Sequence, residues 1–134
     1  MAAQPFSWSE YFRLAEELAR RPDDASLRSA LSRAYYYVYH LALARAEAND
    51  FRILSGEGSH TQLWRVFSRS PDAECQRLAT IASRLKEKRE RADYNKFFVR
   101  LAEEVPALLT DAQDFAARLG RVDPRHPDPK SMRW

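Results

Sequence analysis

One helical face in the second half of the chain combines an apolar stripe with a single cation. The stripe runs through Leu78, Ala82, Leu85 and Ala92. Arg89 stands within it, so the sequence directs a guanidinium group toward a core or an interface. Because burying an unpaired cation is strongly unfavourable, Arg89 should meet a carboxylate, a partner subunit or a phosphate-bearing ligand. Asp93, one turn later, supports the structural alternative, an intrahelical ion pair worth about 0.3 kcal/mol.

A second group combines a cation, a phenol and an imidazole. Arg33, Tyr36 and His40 recur at three- and four-residue spacing and therefore share one helical face. Three more tyrosines surround that face, at Tyr35, Tyr37 and Tyr39. Such a face could stack on bases and position a phosphate, or its tyrosines could simply fill a helical interface. His60 offers a similar choice, because it could bind a ligand or complete a helix end.

A row of basic residues occupies a face next to the Arg89 stripe. Its members are Arg77, Arg84, Lys88 and Arg91. This basic row could follow an anionic nucleic-acid backbone by neutralising phosphates. Three glutamates, Glu74, Glu87 and Glu90, dilute its field, so a solvated charged face is the alternative interpretation.

Apolar periodicity indicates that helices position these residues. The chain contains three glycines and no segment with convincing apolar alternation, which disfavours a multi-stranded sheet. Steps of three and four residues predict helices over 9–20, 25–49, 59–69 and 73–92, and a last helix carrying residues 101–119. We therefore predict an all-α fold, an antiparallel bundle of four or five helices.

Capping signals set the predicted helix boundaries. Ser7 followed by Glu10 has the spacing of a capping box. The acidic pair at 23–24 supplies an N-cap for the second helix, and Ser59 could cap the third. Ser-Pro-Asp at 70–72 is a stop-and-start signal before the fourth helix.

The last helix carries a continuous apolar seam and a proline. The seam comprises Leu101, Val105, Leu108, Ala112, Phe115 and Leu119, and it favours packing against other helices, including those of a second copy. Pro106 predicts a kink or a fresh helix start, and Gly120 fits the position just past the helix end. We assign residues 1–120 to the bundle and 121–134, with three prolines, to an extended or mobile tail.

Composition limits the class of protein. At 134 residues, 45% apolar and 31% charged, the chain fits one globular domain. It has no membrane-length apolar run and no secretory pattern, so we expect a soluble, cytoplasmic protein. Cys75 is alone and is expected to be buried, and no motif for a metal or cofactor occurs. The net charge of +3 suits an acidic partner without identifying one.

Three motifs, in order, resemble those of a subgroup of small HEPN proteins. Residues 32–40, Ser-Arg-Ala-Tyr-Tyr-Tyr-Val-Tyr-His, are similar to a helix signature with an Arg-Ala-Tyr-Tyr core followed by an aromatic residue and a histidine. Gly-Ser-His at 58–60, leading to Val-Phe at 66–67, resembles the next block. Residues 89–94 resemble an arginine, two intervening residues and Ala-Asp-Tyr. The resemblance covers residues 25–94, and the final helix also fits.

The resemblance implies a helical bundle that commonly forms dimers, with polar motif residues in a cleft at or near the dimer interface. Many HEPN proteins are metal-independent endoribonucleases, often toxins encoded beside a nucleotidyltransferase antitoxin. Their usual motif is an arginine followed after four to six residues by a histidine. Arg89 matches the arginine, but Tyr94 stands at the histidine position or the histidine has no equivalent. An unperturbed tyrosine, with a pKa of about 10, is a poor general base, so His40 or His60 would have to replace it.

Two functions follow as expectations. In the first, a homodimer engages RNA or a nucleotide as an endoribonuclease-like toxin or defence component. Arg89 would contact phosphate, Asp93 would orient it, and Tyr94, Tyr36 and His40 would line the cleft. Further contacts to RNA or a nucleotide are expected from Arg33, Tyr36, His60, Arg84, Lys88 and Arg91. In the second, the same residues form a polar network in a non-catalytic module that dimerises and docks a partner such as a nucleotidyltransferase.

Overall fold

The computed structural model describes residues 4–54, 56 and 58–133, and the described chain is all-helical. The five helices are α1 Ser9–Ala19, α2 Asp24–Ala48, α3 Ser59–Ser68, α4 Ala73–Tyr94 and α5 Leu101–Arg121, followed by a 3-10 turn at Pro129–Ser131. The predicted fold class, an all-α helical bundle, is confirmed. No described helix combines the length and the apolar character that crossing a membrane requires.

The long helix α2 organises the bundle, since it packs against all four other helices. Arg28, near the start of α2, reaches the carbonyl of Ala92 at the end of α4, so these two helices run antiparallel. Arg45, near the end of α2, reaches the carbonyl of Leu119 at the end of α5. Helices α2 and α5 therefore run in the same direction, with α4 antiparallel to both.

Small residues on α2 allow this close packing. Ala30, Ala34, Ala42 and Ala46 have no exposed surface. Tyr35, Phe67 and Phe115 are the largest fully buried side chains, contributed by α2, α3 and α5 respectively. Cys75 is buried, as predicted. The apolar seam of α5, from Leu101 to Leu119, is buried inside this one chain, so it is not a free surface for a second copy.

The predicted N-cap of α2 is confirmed, and the caps predicted for α1 and α3 are wrong. Asp23 accepts from the Ser26 amide at 3.0 Å, and Asp72 caps α4 in the same way. The capping box at Ser7 does not form, because the Ser7 hydroxyl bonds to the Ser9 hydroxyl and Trp8 is the residue preceding α1. Ser59 is the first residue of α3 instead of its cap, since the extended backbone that precedes the helix belongs to Gly58.

Helix α5 begins before Pro106 and ends one residue after Gly120, so it does not start afresh at the proline. Pro106 lies in the second turn, and the helix runs through it from Leu101 without a break. Gly120 was predicted to lie just past the end, but α5 continues to Arg121. The Leu119 carbonyl accepts from the Val122 amide at 3.1 Å and from Arg45 at 2.9 Å, so the helix end is satisfied without a left-handed glycine.

The segment after α5, predicted as an extended or mobile tail, packs against the end of α2. Val122 and Pro127 are buried. Asn49 donates to the carbonyl of Pro127 at 3.2 Å. The Arg133 amide donates to the Arg69 carbonyl at 2.7 Å, which ties the last described residue to the end of α3. Side chains on other helices hold this segment, and its own proline-rich composition gives no sign of them.

Candidate functional site

The Arg89 guanidinium lies between α4 and α2, against two tyrosine rings of α2. Arg89 is 7% exposed, so the prediction that the sequence directs a cation into the bundle is confirmed. Its central carbon is 5.2 Å from the centroid of the Tyr35 ring and 5.4 Å from that of the Tyr36 ring. An aromatic face attracts a cation at this distance, and the attraction is stronger where water is excluded.

Asp93 is the hydrogen-bond partner of Arg89 within the described residues. Arg89 Nη1 donates to Asp93 Oδ2 at 3.3 Å, which is the intrahelical pair expected from the spacing. The Ser32 hydroxyl reaches the same oxygen at 3.5 Å. Arg89 Nε is buried and has no acceptor in the described part of the chain. Burial acts to lower the pKa of Arg89, but attraction to Tyr36 and the Asp93 bond keep that pKa above its ordinary value. The site therefore holds a charged guanidinium with unused donor capacity.

Tyr35 connects this arginine to two side chains of α3. The Tyr35 side chain is fully buried. Trp64 Nε1 donates to the Tyr35 hydroxyl oxygen at 3.1 Å, and the same hydroxyl lies 2.5 Å from His60 Nδ1. Burial raises the pKa of Tyr35 well above its ordinary value, so the hydroxyl group stays protonated. His60 and Trp64 can both reach it because they lie four residues apart on one face of α3.

His60 is held between aromatic rings. Its imidazole stacks on Tyr39, with ring centroids 4.2 Å apart, and on Tyr35, at 5.5 Å. Burial, followed by the positive charges of Arg89 and Lys86, lowers the pKa of His60 to about 4. The imidazole is therefore neutral at pH 7. Arg89 and His60 are close enough for the arginine to disfavour a positive charge on the imidazole.

His40 and Arg33 are covered by the first helix. The His40 ring stacks on Trp8, with centroids 3.4 Å apart and planes within 5°. Burial lowers the pKa of His40 below its ordinary value. The Arg33 guanidinium lies 4.9 Å from the centroid of the Tyr11 ring. Arg33, Tyr36 and His40 share one face of α2 but contact different parts of the chain. Tyr36 contacts Arg89 of α4, whereas Arg33 and His40 contact Tyr11 and Trp8 at the start of α1.

The basic row of α4 is paired with carboxylates. The pairs are Arg84 with Asp111 at 2.9 Å, Lys88 with Glu104 at 3.0 Å and Arg91 with Glu87 at 3.3 Å. Asp111 and Glu104 belong to α5, so part of the row stabilises the contact between α4 and α5. These carboxylates reduce the positive potential along the row and so weaken its attraction for a phosphate.

Tyr94 lies at the end of α4 with 78% of its surface exposed, away from the buried rings. A surface pocket of about 600 Å³ at this end is lined by Glu87, Arg89, Glu90, Arg91, Tyr94 and Asn95. Arg89 thus reaches both the buried rings and a solvent-filled depression. Two carboxylates share the depression with two guanidinium groups, so its charge is nearly balanced.

We call Arg89, Asp93, Tyr35, Tyr36 and His60 the Arg89 cluster, because the structure brings these five residues together. The predicted candidates outside it are His40 and Arg33 under α1, Arg84, Lys88 and Arg91 in their ion pairs, and Tyr94 at the surface. Sequence reasoning did not assign a role to Trp64. The four-residue step from His60 to Trp64 was the available signal.

Comparisons with known proteins give no relative: no family model, curated protein or solved structure matches the chain. Across residues 4–54, 56 and 58–133, no three His, Cys, Asp or Glu side chains come together in a group that could hold a metal ion. The function is therefore inferred from the residues of the chain and their geometry.

Proposed function

We propose that this chain is an HEPN-like protein that binds RNA or a nucleotide at the Arg89 cluster. One observation carries the proposal. Arg89 is buried among aromatic rings with a single carboxylate partner, and its Nε finds no acceptor among the described residues. An orphaned buried donor is costly, and a structure that keeps one commonly reserves it for a ligand.

A phosphate group is the ligand that best suits this arginine. Guanidinium N–H groups match the spacing of phosphate oxygens and bind them with charge-assisted hydrogen bonds. Arg89 lines the surface pocket at the end of α4, which gives a ligand an approach to the guanidinium. Asp93 orients Arg89 through Nη1 and leaves other donors for the ligand.

Aromatic side chains around the arginine favour a nucleotide over a simple phosphate. Tyr36 packs against the Arg89 guanidinium, and Tyr94 is exposed at the rim of the pocket. Any of the four bases can stack on an exposed phenol ring, since every base has an aromatic face. Tyr94 would therefore serve as the base contact and Arg89 as the phosphate contact.

RNA binding by matched variants tests this proposal. Arg89→Leu combined with Asp93→Asn removes both charges of the pair, and we expect it to weaken binding of a mixed-sequence RNA at least about tenfold. Arg100→Ala is the control, because it removes one cation from an exposed ion pair with Glu103. Fluorescence anisotropy in the presence of a chelator measures binding, and a gel of the same samples measures cleavage. A folded double variant that binds as tightly as the parent would contradict the proposal.

A second candidate function, docking of a protein partner, is favoured by the loop between α4 and α5. Tyr94, Phe97 and Val99 are 78 to 80% exposed. Arg28 fixes the loop backbone by donating to three carbonyls within residues 92–96. A rigid loop that presents three large apolar side chains to water has the character of an interaction surface. A second copy of the chain or a nucleotidyltransferase would be its partner.

Measuring whether the chain self-associates distinguishes the two possible partners of that loop, a second copy and a different protein. Light scattering at micromolar concentration should give twice the 15.6 kDa monomer mass if a second copy docks there. Phe97→Ser with Val99→Ser should then return the monomer and leave RNA binding at the Arg89 cluster intact. A dimer that survives the double substitution would assign dimerisation to another surface, and a monomeric parent would leave the loop for a different protein.

A further inference from the structure

We propose that Trp64 and Tyr35 hold neutral His60 as the tautomer with its proton on Nε2, so that His60 donates a hydrogen bond at the Arg89 cluster instead of acting there as a base. Tyr35 and Trp64 are then positioning residues, because they act through His60. The ligand in this proposal rests on the proposed function. The tautomer itself does not.

The assignment follows from counting protons along the hydrogen-bond chain. An indole N–H can only donate, so Trp64 donates and the Tyr35 oxygen accepts. The Tyr35 hydroxyl has one proton of its own. Within the described residues its remaining partner is His60 Nδ1, 2.5 Å away. If Tyr35 donates to Nδ1, both bonds are satisfied, and a neutral imidazole must carry its single proton on Nε2.

The opposite tautomer leaves a buried proton without an acceptor. With a proton on His60 Nδ1, the Tyr35 oxygen would accept from both His60 and Trp64. The Tyr35 hydroxyl proton would then have no acceptor in the described part of the chain, and Tyr35 is fully buried. An unsatisfied buried hydroxyl group is costly, so the first arrangement is favoured.

The surrounding charges disfavour the doubly protonated imidazolium. Arg89 and Lys86 on α4 and His40 on α2 each oppose a positive charge on His60, and Glu90 on α4 favours it. Burial is the largest cause, and together these effects lower the pKa of His60 to about 4. At pH 7 the imidazole therefore has one proton, and the hydrogen-bond chain decides which nitrogen holds it.

Packing fixes the direction of that proton. The His60 ring stacks on Tyr35 and Tyr39, with planes 18° and 24° from parallel, so rotation of the imidazole is restricted. A protonated Nε2 of His60 and the unpaired donors of Arg89 would offer a ligand donors only. Such a set suits an anionic oxygen of a phosphate. It cannot remove a proton from a ribose hydroxyl through Nε2, because that nitrogen is already protonated.

Nitrogen NMR on the full chain tests the tautomer directly. Long-range proton–nitrogen correlation spectra of histidine-labelled protein at pH 7 should show His60 with an unprotonated Nδ1 and a protonated Nε2, with His60→Gln to assign the signals. Tyr35→Phe removes the proton donor to Nδ1, and we expect the pKa of His60 to rise by about 1. Tyr36→Phe is the matched control and should leave the tautomer unchanged, since Tyr36 contacts the His60 ring edge-on.

The possible results distinguish a wrong tautomer of His60 from a wrong proposal that the Arg89 cluster binds RNA or a nucleotide. A His60 signal with the proton on Nδ1, or an imidazolium at pH 7, would overturn the tautomer whatever Tyr35→Phe does to folding. Inorganic phosphate is the ligand probe, and its addition should move the His60 Nε2–H signal. If the predicted tautomer is seen but phosphate and RNA both leave that signal in place, the proposed function fails and the donor role of His60 fails with it, while the proton assignment stands.

Discussion

Arg45 of α2 and Arg89 of α4 differ in how many of their hydrogen-bond donors have an acceptor. Arg45 on α2 donates to the carbonyls of Leu119, Val122, Asp123 and His126, at 2.9 to 3.4 Å. Arg89 on α4 donates to one carboxylate, and its Nε has no acceptor in the described part of the chain. Arg89 is nevertheless the more buried of the two.

The contrast indicates what each arginine is for. Arg45 binds backbone oxygens at the end of α5 and in the segment that follows, so its donors are used within the fold. Arg28 does the same for the end of α4. Arg89 has a pairing that is incomplete without a further acceptor, although a buried cation needs partners more than an exposed one does. Two arginines bind helix ends and the third keeps an unpaired donor, and that unpaired donor is the observation behind the proposed ligand site.

The largest effect is expected from Arg45→Ala. The substitution removes the arginine donor of the Val122 and His126 carbonyls and one of two donors of the Leu119 and Asp123 carbonyls. We expect it to lower the free energy of unfolding by about 3 kcal/mol. For a chain of this size that corresponds to a loss of roughly 10 °C in melting temperature, measured by circular dichroism. Arg125→Ala is the control: its side chain is 85% exposed, so the melting temperature should hardly change. If both substitutions lower the melting temperature equally, Arg45 does not stabilise the fold in the way described.

Arg89→Leu with Asp93→Asn should affect stability much less. Replacing a desolvated ion pair by residues of similar volume is often neutral, so we expect a change within about 1 kcal/mol, or roughly 4 °C. Chemical denaturation of the double variant beside the parent measures the difference. A loss as large as that of Arg45→Ala, with RNA binding retained by the folded fraction, would make Arg89 architectural too.

His60 should make stability depend on pH. Its pKa falls from 6.5 to about 4 on folding, so the unfolded chain binds more protons between these values. Stability is therefore lost as the pH falls from about 6.5 to about 4, and is fully present above that window. His60→Gln should reduce the loss across this window more than His40→Gln does, as measured by melting temperatures from pH 4 to pH 7. A parent and a His60 variant with parallel curves would contradict the burial of a neutral His60.

The smallest effect is expected from the basic row. Arg84, Lys88 and Arg91 already have carboxylate partners, so their joint replacement by alanine should change the salt dependence of RNA binding by less than one phosphate contact. For a single-stranded nucleic acid, one contact contributes about 0.7 to the slope of log affinity against log salt. Binding measured between low and moderate salt gives this slope. If the triple substitution lowers the salt slope by the equivalent of two phosphate contacts or more, the basic row, and not the Arg89 cluster, is the RNA-binding surface.

Local signals in the sequence determined the helices. Apolar spacing located all five, and Asp23 and Asp72 marked two starts correctly, because an N-cap depends on its own carboxylate and the amides three residues on. The same kind of signal failed elsewhere. Ser7 and Ser59 do not cap their helices, and α5 continues past Gly120, where the Leu119 carbonyl accepts from the Val122 amide and from Arg45 of α2. A capping residue marks where a helix can begin or end, and the surrounding backbone and neighbouring helices decide whether it does.

In the candidate site, too, some contacts were predictable from the sequence and others depended on tertiary packing. Helical spacing alone placed Arg89 in an apolar stripe and paired it with Asp93, one turn away on the same helix. Only the tertiary structure decided that His60, and not His40, is linked to Arg89 through Tyr35, since α1 covers His40 with Trp8. Only the tertiary structure showed that Arg84 and Lys88 of the basic row pair with carboxylates of α5. Periodicity fixes which face of a helix a residue occupies, but which helix meets that face depends on the packing of the whole chain.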